Sequence, residues 1–205
     1  LVRLNMYKNF DAIIFDMDGT LVDSGRLHQN AWTLTLEKYG IPIEPKLMRS
    51  LAGVPTIGTV EYLIEHFSLD LVLDLQQVNE FKESIVRETM TQFVKPTSLA
   101  DFALANKNKR PMSVGTGAYT EEANIILTTC GLTHLLDHVV GADQVENPKP
   151  SPDTFLRCAE LMGVRPERCI VFEDAQAGIQ AAKSAGMFVV DVLDQFNIEN
   201  DYFIS

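Results

Sequence analysis

Short apolar runs rich in β-branched residues recur in the second half of the chain, each followed by turn residues and then by a segment with helical spacing. Ala12 to Phe15, Met112 to Gly115, His138 to Gly141, Cys169 to Phe172 and Phe188 to Val192 read as strands. Leu99 to Asn106, Glu121 to Thr129, Pro152 to Met162 and Ala177 to Ala185 read as the helices that separate or follow them. Gly131, Gly163 and Gly186 stand just beyond three of these helices, where a left-handed residue commonly ends a helix. Strands and helices in alternation predict a doubly wound parallel α/β sheet.

Residues 16–111 separate the first strand from the second, far more than the roughly one dozen a parallel crossover needs. Within that interval the spacing is helical. Leu27, Ala31 and Leu34 form one apolar stripe, Val60, Leu63, Ile64 and Phe67 a second, and Val78, Phe81 and Ile85 a third. Gly40 with Pro42, and Gly53 with Pro55, punctuate the helices. The expected organisation is therefore an α/β core formed by residues 1–22 and 93–205, carrying an inserted small α-helical domain over 23–92.

Charge narrows the possible partners. With 17 Lys and Arg against 28 Asp and Glu, the formal net charge is −11, which works against nonspecific nucleic-acid binding. An anionic ligand must then meet a local positive site. Hydrophobic residues make up 46%, enough for a substantial core, yet no apolar run reaches the length that spans a bilayer. Leu1 to Asn5 have no signal-peptide hydrophobic stretch, and Met6 offers an alternative natural start. Cys130, Cys158 and Cys169 are odd in number and form no CxxC pair, which favours a reducing compartment. A cytoplasmic protein with a small-molecule partner is expected, with no nucleic acid and no membrane, acting as a monomer or weak homo-oligomer.

The candidate chemistry sits where strands end. The run IIFDMDGTLVD at positions 13–23 puts Asp16 and Asp18 directly after an apolar strand, and ligands of open parallel sheets bind beyond the carboxyl ends of the strands. Asp-Gly pairs also suit a solvated turn. A second acidic pair, Glu173 and Asp174, follows the strand CIVF; these residues could equally cap the next helix. Four acids converging on one sheet edge repel one another unless a cation lies among them, and hard oxygen donors of this kind suit Mg²⁺. Val114-Gly115-Thr116-Gly117 offers a hydroxyl among glycine amides, a grouping suited to phosphate oxygens but frequent in ordinary loops. In Asn147-Pro148-Lys149-Pro150-Ser151-Pro152, prolines restrict the backbone on both sides of a lysine. His134 and His138 share a four-residue spacing but lack further ligands for zinc.

Taken in order, DMDGT, VGTG, the lysine of NPKPSP and FEDA resemble the four motifs of the haloacid dehalogenase superfamily. The resemblance covers the whole core, implying a Rossmann-like sheet with the helical insertion as a small cap. Within the superfamily the chain is similar to the β-phosphoglucomutase-like branch. RPMSVGTG, KPSPDTF and VFEDAQAGIQAAKSAGM are most similar to its fructose 1-phosphate phosphatase-type members.

That resemblance implies roles. Asp16 is the implied nucleophile, forming an aspartyl-phosphate, and Asp18 the implied general acid and then base. Thr116 and Gly117 would orient the phosphoryl group, and Lys149 would neutralise it. Mg²⁺ would be held by Asp16, Asp18 through its carbonyl, Asp174 and Glu173. The cap would close over the site, with hinges near residues 22–24 and 93–96 and His28 as its substrate contact. A β-phosphoglucomutase-type phosphotransferase is the rival enzyme. Its branch carries basic residues in a cap loop that here reads Leu51-Ala52-Gly53-Val54-Pro55-Thr56, so Ala52 and Thr56 replace positive charges and favour hydrolysis. A non-catalytic sugar-phosphate-binding protein is the other alternative, although the implied reacting groups are all present.

Overall fold

The structure is a computed structural model that describes residues 7, 9–52, 54, 56–199 and 201–204. Leu1 to Met6, Gly53 and Pro55, used above, lie outside the described residues. Two compact units are present, one drawn from the described residues of 1–23 and 95–200, the other from those of 24–94 and 201–205.

The first unit is built on five parallel strands: β1 (Ala12–Phe15), β4 (Met112–Gly115), β5 (His138–Val140), β6 (Cys169–Glu173) and β7 (Phe188–Asp191), in the order β5-β4-β1-β6-β7. The chain winds outward from β1 to one edge and then restarts on its other side. The change of winding therefore falls between β1 and β6, where such sheets bind ligands. All residues of β1, β4 and β6 are buried, as expected of strands covered by helices on both faces.

Alternation along the strands decides which side chains meet which helices. Ala12 and Ile14 of β1, with Cys169 and Val171 of β6, join a core that includes Phe155, Cys158 and Ala159 of α7 (Asp153–Met162) and Ala181 and Ala182 of α8 (Gln176–Ser184). On the opposite parity, Phe15 stacks on Phe172 with centroids 5.4 Å apart. Around that pair lie Tyr7, Phe102 of α5 (Leu99–Asn106) and Phe196 of α9 (Val192–Phe196), in mostly edge-on contacts. α6 (Thr120–Thr129) follows β4. Val192, expected to end the last strand, instead opens α9, because the Asp191 side chain accepts the Leu193 and Asp194 N–H groups and starts a helix there.

Two very short strands, β2 (Val22–Asp23) and β3 (Lys95–Pro96), pair antiparallel where the chain leaves and re-enters this unit. Thr97 reinforces the return: its hydroxyl donates to the Thr20 carbonyl at 2.6 Å and its N–H to the Leu21 carbonyl at 3.0 Å. The re-entry point is thereby tied to the loop that follows Asp16.

The second unit comprises α1 (Gly25–Tyr39), α2 (Pro45–Ser50), α3 (Thr56–His66) and α4 (Leu75–Thr89). Its core contains Trp32, Leu36, Met48, Val60, Leu63 and Val78. The expected stripe on α1 is corrected here. Leu34 is 43% exposed, and the buried face runs instead through Leu27, Ala31, Trp32, Thr35 and Leu36. Among the described residues of 201–205, Phe203 is buried in this same core, its N–H donates to Gln29 Oε1, and Asp201 pairs with Arg26. Phe203→Ala is expected to destabilise the helical unit by about 3 kcal/mol, the usual cost of emptying a buried aromatic site. Chemical denaturation followed by the fluorescence of Trp32, which lies in that core, checks it; an unchanged midpoint would mean that the tail contributes no packing.

Candidate active site

β1 and β6 lie in register, Phe15 opposite Phe172, so the next residues, Asp16 and Glu173, emerge side by side on the face that packs α7 and α8. The Asp16 N–H donates to the Phe172 carbonyl at 2.9 Å, extending the parallel ladder by one step and fixing where its carboxylate begins. Asp16 is only 7% exposed and Glu173 1%. Lys149, from the loop before α7, reaches the same face: its ammonium lies 2.6 Å from Asp16 Oδ1 and 2.9 Å from Glu173 Oε1, and 4.6 Å from the Phe155 ring centroid. The Lys149–Pro150 peptide is cis. Asp153 gathers the rest of this loop, accepting from Ser151 Oγ and from both the N–H and side-chain amide of Asn147.

Asp174 completes the cluster. Asp16, Glu173 and Asp174 each offer a carboxylate oxygen within 4.8 Å of the others. Thr20 Oγ1 donates to Asp174 Oδ1 at 3.2 Å. Gly19 has φ +80°, a left-handed conformation, and a Cβ there would overlap Asp174 Oδ2, so glycine serves both the turn and the close approach. Asp18, two residues past Asp16, is only partly buried. The sequence offered helix capping as an alternative for Glu173 and Asp174, but neither side chain caps α8, whose N-cap residue is Ala175; Glu173 Oε2 accepts the N–H of Ala175 at 2.6 Å, while Oε1 holds Lys149.

Electrostatics follow from this crowding. Burial, opposed by Lys149 and reinforced by Asp18, pushes the Asp16 carboxyl up. Burial and then the neighbouring Asp16 charge push Glu173 to about 8 and Asp174 to about 7. Burial pulls Lys149 down, but Asp16 and Glu173 more than offset this, so its ammonium is held charged. One lysine does not neutralise three carboxylates. The donor set is all oxygen and carries excess negative charge, so it fits a hard divalent cation such as Mg²⁺.

A pH dependence follows, with its sign fixed. The folded cluster holds protons that the unfolded chain has released near its ordinary carboxylate values, so metal-free stability falls as pH rises from about 5 to about 8. The loss expected is a few kcal/mol. Adding Mg²⁺ should raise the melting temperature more at pH 8 than at pH 5. Melting curves at both pH values check this, and an equal shift at each would contradict a cation site at these acids.

The loop after β4 lies beside that after β5: the Thr116 N–H donates to the Val140 carbonyl and the Ala142 N–H to the Ala118 carbonyl. Thr116 is buried, and its hydroxyl oxygen accepts the Ala118 N–H at 3.1 Å, leaving the hydroxyl proton to donate elsewhere. Gly117 is exposed, and among the described residues its N–H has no protein acceptor. His28 lies partly buried on α1 of the helical unit.

Thr20, Phe155 and Asp153 were not singled out from sequence as members of the site. Thr20 stood inside the DMDGT run, and Phe155 and Asp153 inside KPSPDTF, so the only signal was their neighbourhood.

The chain is similar to known proteins over most of its length. A sequence profile of the haloacid dehalogenase-like hydrolases matches residues 13–192. Fructose-1-phosphate phosphatase YqaB of Escherichia coli K12 is 43% identical, covering 91% of this chain and 98% of that one. The β-phosphoglucomutase of Bacillus subtilis is 27% identical, covering 88% and 82%. A haloacid dehalogenase-like protein of unknown function from Agrobacterium tumefaciens, ATU0790, has a crystal structure that superposes with TM-score 0.76 at 30% identity, covering 88% and 81%.

Proposed function

This chain belongs to the haloacid dehalogenase-like hydrolases, and on that premise we propose that it is a Mg²⁺-dependent phosphatase acting on a small phosphorylated sugar through an aspartyl-phosphate on Asp16. The observation that carries this reading is the Asp16 carboxylate at the change of winding, gripped by Lys149 at 2.6 Å and grouped with Asp174 and Glu173.

In the first half-reaction an Asp16 oxygen bonds to phosphorus as the ester P–O bond breaks, and Asp18 gives its proton to the leaving alcohol. In the second, Asp18 takes a proton from water as that water attacks phosphorus and the bond to Asp16 breaks. The Thr116 hydroxyl and Gly117 N–H orient the phosphoryl oxygens, and Lys149 offsets their charge while restraining Asp16. Mg²⁺ would be held by Asp16, the Asp18 carbonyl and Asp174, with Glu173 beside them, and when bound it withdraws charge from the phosphoryl oxygens. The helical unit is assigned to substrate selection, with His28 as its candidate contact.

Hydrolysis is preferred over the mutase reaction because Ala52 and Thr56 bring no charge to a second phosphate, and because the identity to the phosphatase exceeds that to the mutase. Fructose 1-phosphate is the leading substrate on the same ground. Among the described residues no helix is long and apolar enough to cross a membrane. The purified protein is expected to release phosphate from an aryl phosphate with Mg²⁺, to stop on chelation, and to rank fructose 1-phosphate highly in a panel of sugar phosphates. Conversion of β-glucose 1-phosphate to glucose 6-phosphate without net phosphate release would favour the mutase instead.

A further inference from the structure

Gly178 sits in the first turn of α8, buried and without the positive φ that would demand glycine. Alanine is the better helix former at such a position, so the local backbone gives no reason for glycine there. The reason lies across the interface. A Cβ at 178 would overlap Oε1 and Cδ of Glu173 and stand 2.7 Å from its Cγ, and these are the three atoms nearest to it. The Glu173 side chain therefore lies in the space that residue 178 leaves open. It is held there at both oxygens, Oε1 by Lys149 at 2.9 Å and Oε2 by the Ala175 N–H at 2.6 Å.

We propose that Gly178 is a positioning residue of the active site, its missing side chain forming the seat from which Glu173 holds Lys149 against Asp16. The atoms a methyl group there would meet first all belong to the Glu173 side chain and none to the backbone, so the fold accommodates it by swinging Glu173 away. That movement withdraws one of the two carboxylates from Lys149, leaving the ammonium to Asp16 alone. The loss falls on the geometry of the reacting group and not on the packing of α8.

The kinetic part of the proposal rests on the phosphatase reading; the stability part does not. A cycle of Gly178→Ala, Glu173→Ala and the double variant separates them. In kcat for a phosphate ester, Gly178→Ala is expected to lose at least tenfold in the otherwise unchanged protein and to cost nothing further once Glu173 is alanine. In melting temperature, Gly178→Ala should be neutral or lower it in the unchanged protein. It should raise the melting temperature in the Glu173→Ala background, where the overlap is gone and only the helix preference remains. Equal effects of Gly178→Ala in both backgrounds would overturn the proposal, as would a Gly178→Ala enzyme with undiminished kcat. If no ester were hydrolysed by the unmutated protein, the phosphatase reading would fail, and the reversal in melting temperature would still decide the role of Gly178.

Discussion

Asp16→Asn is expected to abolish turnover, by on the order of 10⁴-fold or more, because the amide cannot replace the attacking carboxylate. Its effect on stability should have the opposite sign. Asp16 is the charge that, after burial, pushes Glu173 and Asp174 up, and asparagine keeps a carbonyl oxygen that can accept from Lys149. Removing one of three crowded carboxylates relieves the other two. Metal-free Asp16→Asn protein should therefore melt at or above the temperature of the unmutated protein at pH 8, with the difference shrinking toward pH 5 where the acids are protonated. Steady-state assays and paired melting curves check both halves; appreciable turnover in the variant would remove Asp16 from the nucleophile's role.

Lys149→Met should be harmful in both respects. The ammonium is the one cation in contact with Asp16 and Glu173 among the described residues, and its side chain is 11% exposed against 10% and 2% for theirs. Withdrawing it leaves two buried carboxylates without a counter-charge, a change that typically costs about 3–5 kcal/mol. The cost should be largest at pH 8 and smaller at pH 5, since protonation then does what the lysine did. Activity should fall by about 10²–10³-fold, the scale of losing one preorganised charge at a phosphoryl group. Denaturant unfolding at the two pH values, with kcat measured alongside, tests this; a variant as stable as the unmutated protein at pH 8 would mean that Lys149 is not the counter-charge.

The acids of the site are legible because they lie at the ends of strongly apolar runs: FDMDG at the end of β1 and FEDA at the end of β6 place carboxylates there, and the parity of the sheet turns Asp16 and Glu173 to one face. What the sequence did not give was distance. That Lys149 spans both Asp16 and Glu173, or that Glu173 occupies the space above Gly178, depends on how α7 and α8 pack across β1 and β6, separations of up to 133 positions along the chain. The β2–β3 pair escaped because two-residue strands have no periodicity to read. Leu34 draws the stripe on α1 to the wrong side because it is apolar, while the buried face includes the polar Thr35, whose hydroxyl donates to the Ala31 carbonyl at 2.7 Å. Residues 201–204 gave no signal because two adjacent aromatics, Tyr202 and Phe203, pack on the helical core without any periodic pattern.

The central claim is a covalent phosphoryl group on Asp16, and Asp18→Asn offers the most direct view of it. With an aryl phosphate the leaving group needs little protonation, so the aspartyl-phosphate should still form, while its hydrolysis, lacking the base, should slow. Acid quenching of Asp18→Asn protein during turnover with Mg²⁺, followed by peptide mapping, is predicted to show a hydroxylamine-sensitive phosphoryl adduct on the peptide carrying Asp16. Aryl phosphate hydrolysis that proceeds with no adduct, or with the phosphoryl group on a different residue, would contradict the account.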